Sequence, residues 1–284
     1  MFTERSGVLN LSVEGMMLIG ALGGFMANLY TNNLVIGVLV AIIAGGMLSL
    51  IHAFLCITLR SNQVVSGLAI TLMGAGLSSF LGKSLVGVPA PNCFRAFKIP
   101  FLSSILFIGR IFFQQDLLVY ITYIIIPLSW FIMYKTKPGL HLRAVGEDPA
   151  TADSLGVNIY RIRYIYVLIG GMFSGLAGAY LSLAYAPTWI ENMTAGKGWI
   201  AIALVIFATW DPFRAVLGAY LFGGVEAFQY RIQALGTTIP SFFLKMFPYI
   251  FTIIVLVIAT QETIRRRIGA PTNLGLPYYR GEKK

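Results

Sequence analysis

A chain of 284 residues that is 57% hydrophobic and only 11% charged, with a mean hydropathy of +0.77, is a polytopic helical membrane protein rather than a soluble domain. Its formal net charge of +10 does not point to nucleic acid, because Lys and Arg are confined to gaps between apolar runs and to the tail instead of forming a basic stripe. The two cysteines, Cys56 and Cys93, show no CxxC or metal spacing and imply no disulfide framework.

The first ten residues lack the basic start, apolar core and small-residue cleavage site of a signal peptide. Asn10, Ser12 and Glu14 then recur every second residue in a lead-in broken by Gly7 and Gly15. That pattern predicts non-helical backbone at membrane depth, which survives only against protein or a water-lined cavity. Eight apolar segments follow, at 11–30, 34–59, 64–81, 117–134, 165–185, 199–209, 215–228 and 247–259. Small residues such as Gly67, Gly74 and Gly76 are read as sites of close helix approach. Residues 83–115, with Pro89, Pro91 and Pro100, read as an interfacial or re-entrant piece, and Pro127 predicts a kink in the next span. Residues 199–209 are too few for a full crossing and read as half of a broken pair with the segment after Asp211 and Pro212.

One hydrophilic interval, 134–164, separates the apolar runs. Within it Asp148 offers an oxygen to the free amides of a helix start, Pro149 suits the first helical position, and Gly156 accepts the left-handed conformation that closes a helix. The spacing predicts a helix of about two turns, marginal on its own and in need of a surface to lie against. Lys and Arg concentrate in this interval (Lys135, Lys137, Arg143, Arg161, Arg163) and in the tail (Arg265, Arg266, Arg267, Arg280, Lys283, Lys284), which places both in the cytoplasm with an even number of crossings between them. The tetrapeptide SerGlyLeuAla occurs at 66–69 and at 174–177, a match that chance explains more readily than duplication.

No nucleophile–base pair, HExxH, paired carboxylate or Walker-type phosphate loop is present, so the chain is not expected to be an enzyme, to hold a cofactor or metal, or to hydrolyse ATP by itself. Ionisable residues in apolar runs are the best functional pointers. Glu14 is either a carboxylate satisfied by amides at a helix start or part of a transport path, and Glu226 is either an interfacial acid paired with Arg231 or part of the same path. His52 lies near a span end. Trp189 and Trp199 flank an external segment, where their rings either stack on a cargo or anchor the interface. Asn10, Ser12, Glu14, Trp189, Trp199 and Glu226 are therefore the candidate substrate path.

Three ordered stretches carry a family resemblance: ERSGVLNLSVEGMMLIGA at 4–21, GLHLRAVGEDPATAD at 139–153 with Gly156, and MTAGKGWIAIA at 193–203. Together they resemble the permease subunits of ABC importers, in the branch serving simple sugars and nucleosides that is related to branched-chain amino-acid permeases. The similarity covers nearly the whole chain and is strongest for the nucleoside (guanosine or purine nucleoside) type. Members usually carry a further apolar helix ahead of the first motif, which here stands at the start of the chain. The resemblance implies that the short cytoplasmic helix docks on an ATPase, with Glu147, Asp148, Ala150, Ala152, Asp153 and Gly156 as the coupling set. Ala150 stands where the family pattern has its first acid, with Glu147 just upstream.

The expected architecture is an all-α transmembrane bundle of about eight spans with a cytoplasmic coupling helix. One permease domain covers 1–260, including a coupling loop at 135–163, and a basic tail covers 261–284. Expected partners are separate ATPase subunits, a second permease subunit, an extracytoplasmic substrate-binding protein and the bilayer of the cell membrane, with a nucleoside as cargo. The alternatives are a sugar or branched-chain amino-acid importer and, in a different class, a stand-alone channel or secondary carrier.

Overall fold

A computed structural model describes residues 1–100, 103, 111–236, 240–259 and 269–280. The amphiphilic stretch expected at the interface, 101–110, lies almost wholly outside the described residues, as do the basic positions Arg265, Arg266, Arg267, Lys283 and Lys284.

Eleven helices lie among the described residues: α1 Phe2–Arg5, α2 Val13–Thr31, α3 Leu34–Ala53, α4 Gln63–Gly82, α5 Leu117–Lys135, α6 Lys137–Glu147, α7 Pro149–Ser154, α8 Ile159–Tyr180, α9 Lys197–Phe207, α10 Pro212–Ala234 and α11 Ser241–Ala259. Strands β1 (Phe97–Lys98) and β2 (Gln114–Gln115) pair antiparallel in the long connection before α5. The helix starts are written locally. Asn33, Asn62, Asp116, Asp148, Asn158 and Asp211 each accept backbone N–H bonds at the start of α3, α4, α5, α7, α8 and α10. Helices α3 and α8 each run on through one π turn, Phe54–Thr58 and Leu181–Tyr185.

Each of the eight apolar segments is helical. Five of these helices are long and apolar enough to cross a membrane: Val13–Thr31, Leu34–Thr58, Gln63–Leu85, Leu117–Lys135 and Ile159–Tyr185. The 11 residues of α9 reach about 16 Å, half a bilayer core. Residues 8–12 are non-helical as the lead-in pattern predicts, but Gly15 does not break anything. It sits inside α2, where an added Cβ would come within 2.7 Å of Thr71 in α4.

Backbone contact explains the core. A Cβ on Gly20 of α2 would lie 2.6 Å from Gly175 of α8, and one on Gly45 of α3 would lie 2.5 Å from the Gly171 carbonyl of α8. The three helices thus meet along a seam of small residues, where dispersion gains come from closeness rather than side-chain bulk. Gly67 and Gly74 bring α4 against Leu11 and Gly15 in the same way, while Gly76 has nothing near it. Both copies of SerGlyLeuAla supply a close-approach glycine, Gly67 of α4 against Leu11 and Gly175 of α8 against Ala41 of α3. Helix α9 lies between α2 on one side and α10 and α11 on the other, and α5 closes against α10 through Trp130–Phe213 and Tyr123–Tyr220.

Two ends of the bundle are distinguishable. At one, Asn28 and Asn92 tie α2 to the loop after α4, and Pro89 bridges Thr188. At the other, α6, α7, the turn at Gly7 and the segment 269–280 meet: Asn273 N–H donates to Gly146 (3.0 Å) and Gly275 N–H to Gly7 (3.2 Å). The central interval and the described tail thus share one side of the molecule. The interval itself is two helices, since Thr136 and Pro138 start an 11-residue helix, α6, ahead of the α7 that the sequence announces.

Candidate functional site

Glu14 opens α2 and is 5% exposed, yet it is not an isolated charge at membrane depth. Its Oε1 accepts from the Thr194 hydroxyl (2.5 Å) and the Gly196 N–H (2.8 Å), and its Oε2 accepts from the Gly198 N–H (2.6 Å). The carboxylate therefore fills the start of α9, where unsatisfied N–H groups and the helix dipole favour a negative charge. Local sequence makes the approach feasible. Gly196 takes φ +82 to turn the chain, and a Cβ on Gly198 would come within 2.6 Å of Glu14. Asn10 and Ser12 sit just before this joint, and the Asn10 side-chain oxygen accepts from both the N–H (3.0 Å) and the hydroxyl of Ser12.

From the same half-helix start, the Lys197 ammonium pairs with the carboxylate of Glu226 on α10. Glu226 is thus partnered by Lys197, not by Arg231. A residue five positions along a helix faces away, whereas the α9–α10 hairpin brings Lys197 level with it. The pair is partly open, with side chains 27% and 31% exposed. Aromatic groups surround it. The Lys197 ammonium lies 5.7 Å from the centre of the Tyr185 ring, the Tyr230 hydroxyl is 3.5 Å from Glu226 Oε1, and the Tyr249 hydroxyl of α11 donates to the Ala195 carbonyl (2.6 Å). Trp199, two residues beyond Lys197, is partly exposed.

Trp189 is elsewhere. It is 1% exposed and packs on Ala21, Leu22, Phe25 and Leu85, in a space kept open by Gly82, where a Cβ would overlap the indole nitrogen. Neither face of this ring is open to a ligand. His52 is also internal, bridging Ser66 and the Leu9 carbonyl at 3.0 Å each, which fastens the lead-in between α3 and α4.

On the other side of the molecule, Asp148 caps α7 through the N–H groups of Ala150 and Thr151, and Gly156 closes it at φ +81. Ala152 is buried with Val145, Ile159 and Tyr278, so α7 does have the supporting surface it needs. Ala150, Thr151 and Leu155 face outward. The two other acids are taken up by the tail: Glu147 accepts from the Thr272 N–H and hydroxyl, and Asp153 accepts from the Tyr278 hydroxyl (2.9 Å) and Arg280 Nε (3.1 Å). Burial and the Asp153 carboxylate push the Tyr278 phenol above its ordinary range. Sequence reading missed Lys197, Thr194, Tyr185, Tyr230 and the tail residues 272–280. A signal for Lys197 existed, since it is the one charged residue of the motif at 193–203 and stands at the edge of an apolar run.

Among the described residues no group of three His, Cys, Asp or Glu is placed to hold a metal ion. A family model described as branched-chain amino acid transport system / permease component matches residues 1–260. The chain is 42% identical to a putative glucose ABC transporter permease protein of Haloferax volcanii, over 99% of this chain and 92% of that one. It is 38% identical to a guanosine ABC transporter permease protein of Bacillus subtilis and 34% identical to a nucleoside ABC transporter permease protein of Lactococcus lactis, each over 99% of this chain and 91% of the relative. No solved structure matches. The long apolar helices, the broken helix and the full-length similarity agree: the chain belongs to the branched-chain amino acid transport system / permease component family, as a non-enzymatic, multi-pass ABC transporter permease subunit of the simple sugar and nucleoside branch.

Proposed function

We propose that this permease carries a nucleoside across the cell membrane along a path beside the start of α9, driven by ATPase subunits that dock on α6 and α7. The observation that carries the reading is a half-length helix pinned to α2 by Glu14, with the partly exposed Tyr185 and Tyr230 beside the Lys197–Glu226 pair. Irregular backbone at membrane depth belongs against a cavity, and open aromatic faces suit a nucleobase. Two of the relatives are described as guanosine or nucleoside permeases. Asn10 and Ser12, buried and bonded to each other just before this joint, brace it, and Glu14 serves the path by holding α9 rather than by touching cargo. Trp189, packed among Ala21, Leu22, Phe25 and Leu85, belongs to the core and neither stacks on cargo nor anchors the membrane interface.

For coupling, α7 presents Ala150, Thr151 and Leu155 to the ATPase, while Asp148, Ala152 and Gly156 shape the helix and Glu147 and Asp153 seat it on the tail. Lys135, Lys137, Arg143, Arg161 and Arg280 mark this side as cytoplasmic. The permease domain is 1–260 with the tail as its strap, and a second permease subunit completes the path. A glucose cargo is the second reading, supported by the 42% identical relative.

Uptake of labelled nucleosides, glucose and leucine by cells with and without this chain tests the proposal. Nucleoside uptake that needs both the chain and a co-purifying ATPase is expected. Uptake of glucose alone selects the second reading, and leucine alone rejects both. Orientation is checked with Ser154→Cys and Asn192→Cys in a chain lacking Cys56 and Cys93. An impermeant thiol reagent applied to intact cells should label only position 192.

A further inference from the structure

We propose that Lys197 and Glu226 together form a binding site for a vicinal diol, the two adjacent hydroxyls of a sugar ring, with the Tyr185 ring as its apolar wall. The inference rests on the transport reading above and adds to it the part of the cargo that is recognised.

The pair has unused hydrogen-bonding capacity in the right combination. An ammonium has three N–H donors and a carboxylate has two acceptor oxygens. Among the described residues, Lys197 gives one bond, to Glu226 Oε1, and that oxygen also faces the Tyr230 hydroxyl, while Oε2 has no protein partner. A hydroxyl both accepts and donates. Of two neighbouring hydroxyls, one accepts from Lys197 while the other donates to Glu226, and both bonds are charge-assisted. The partial exposure of the two side chains, 27% and 31%, leaves room for this exchange with water.

The surroundings fit a neutral ring rather than an anion. Glu14 already occupies the first amides of α9, and Glu226 balances Lys197, so no uncompensated positive charge is left for a carboxylate or phosphate. The Tyr185 ring, 5.7 Å from the ammonium, offers an apolar face to the C–H side of a sugar. A vicinal diol is common to ribonucleosides and to glucose, so one site serves either cargo.

The test is uptake through the assembled complex with one substrate-binding protein throughout, so that any change in selectivity originates in the permease. A ribonucleoside is compared with its 2′,3′-dideoxy analogue, and glucose with its 2,3-dideoxy analogue, in wild type, Lys197→Met and Glu226→Gln. For whichever cargo is carried, each variant should lower uptake of the diol form about tenfold per complex and leave that of the stripped analogue within about twofold, collapsing the ratio. An equal fall for both forms at normal complex recovery, or no fall, overturns the proposal. If a single variant leaves a lone charge and fails to assemble, the double variant Lys197→Met with Glu226→Met removes both charges together and must show the same collapse. A wild-type complex that carries neither cargo overturns the transport reading and this inference with it.

Discussion

Between α2, α3 and α8 the nearest neighbours are backbone atoms, whereas between α9, α10 and α11 they are the ends of long side chains. In the first region Gly20 meets Gly175, and Gly45 meets Gly171, with no space for a methyl group. In the second, Lys197 reaches Glu226, Tyr249 reaches Ala195, and Phe222 stands edge-on to Phe251 at 5.1 Å. An apolar groove of about 600 Å³ opens between α10 and α11, lined by Leu221, Phe228, Phe247 and Ile250. Backbone contact has no slack, because a shift of one helix drives atoms into the next. Side-chain contact adjusts through rotamers. The glycine seam is therefore the frame against which the α9–α11 wing is expected to move during transport.

The largest effect should come from filling the seam. A side chain at Gly175 would start 2.1 Å from the Ala41 carbonyl, so Gly175→Leu should abolish recovery of folded protein, a cost above the roughly 1–3 kcal/mol of ordinary overpacking. At Gly223 of α10 nothing lies within 4 Å, and Gly223→Ala should raise stability by up to ~1 kcal/mol through helix propensity. Monodisperse yield and thermal unfolding in detergent compare the two. Equal tolerance at both sites would remove the distinction between frame and wing.

The next effect tests the drive. In Ala152→Pro the N–H that now donates to Asp148 (3.1 Å) is lost, a disruption of ~3 kcal/mol for a helix interior. Uptake should vanish while the amount of protein in the membrane stays normal. Normal uptake by a well-expressed variant would show that α7 need not be helical.

Glu14 joins the two regions, so its replacement should loosen the wing without unmaking the frame. In Glu14→Gln one amide group replaces an acceptor, leaving an N–H of the α9 start unpaired at ~1–3 kcal/mol. A complex of lower thermal stability with unchanged transport per complex is expected, and the opposite result would place Glu14 in contact with cargo. The smallest effect is that of Tyr278→Phe, which deletes the hydroxyl bond to Asp153 and should cost ~0.5–1.5 kcal/mol. Faster hydrogen exchange at Ala152–Gly156, with the bundle unaffected, would report it.

These regions were not equally legible in the sequence. Helix α7 was readable because its determinants, Asp148, Pro149 and Gly156, act on their own neighbours. The role of Glu14 was half readable. A carboxylate satisfied by amides was foreseen, but the amides belong to Gly196 and Gly198, more than 180 residues away, and backbone N–H groups leave no side-chain signature. Trp189 read as an external ring because its position in the chain is external, whereas its burial depends on the missing side chain of Gly82. The tail drew attention through its charges alone, while it is held by Thr272, Tyr278 and Arg280, whose partners lie 125 to 127 residues earlier.

The π turn that closes α8 has a consequence for aim. An α-helix advances by about 100° per residue, so one extra residue accommodated in Leu181–Tyr185 sets the end of the helix out of phase with the seam below it. That offset is what points Tyr185 across at Lys197. Winding the same five residues as regular α-helix would swing the ring by about 100°, though every glycine contact of the seam would be intact. The bearing of this aromatic is therefore stored in the winding of one turn of backbone rather than in the ring or its neighbours.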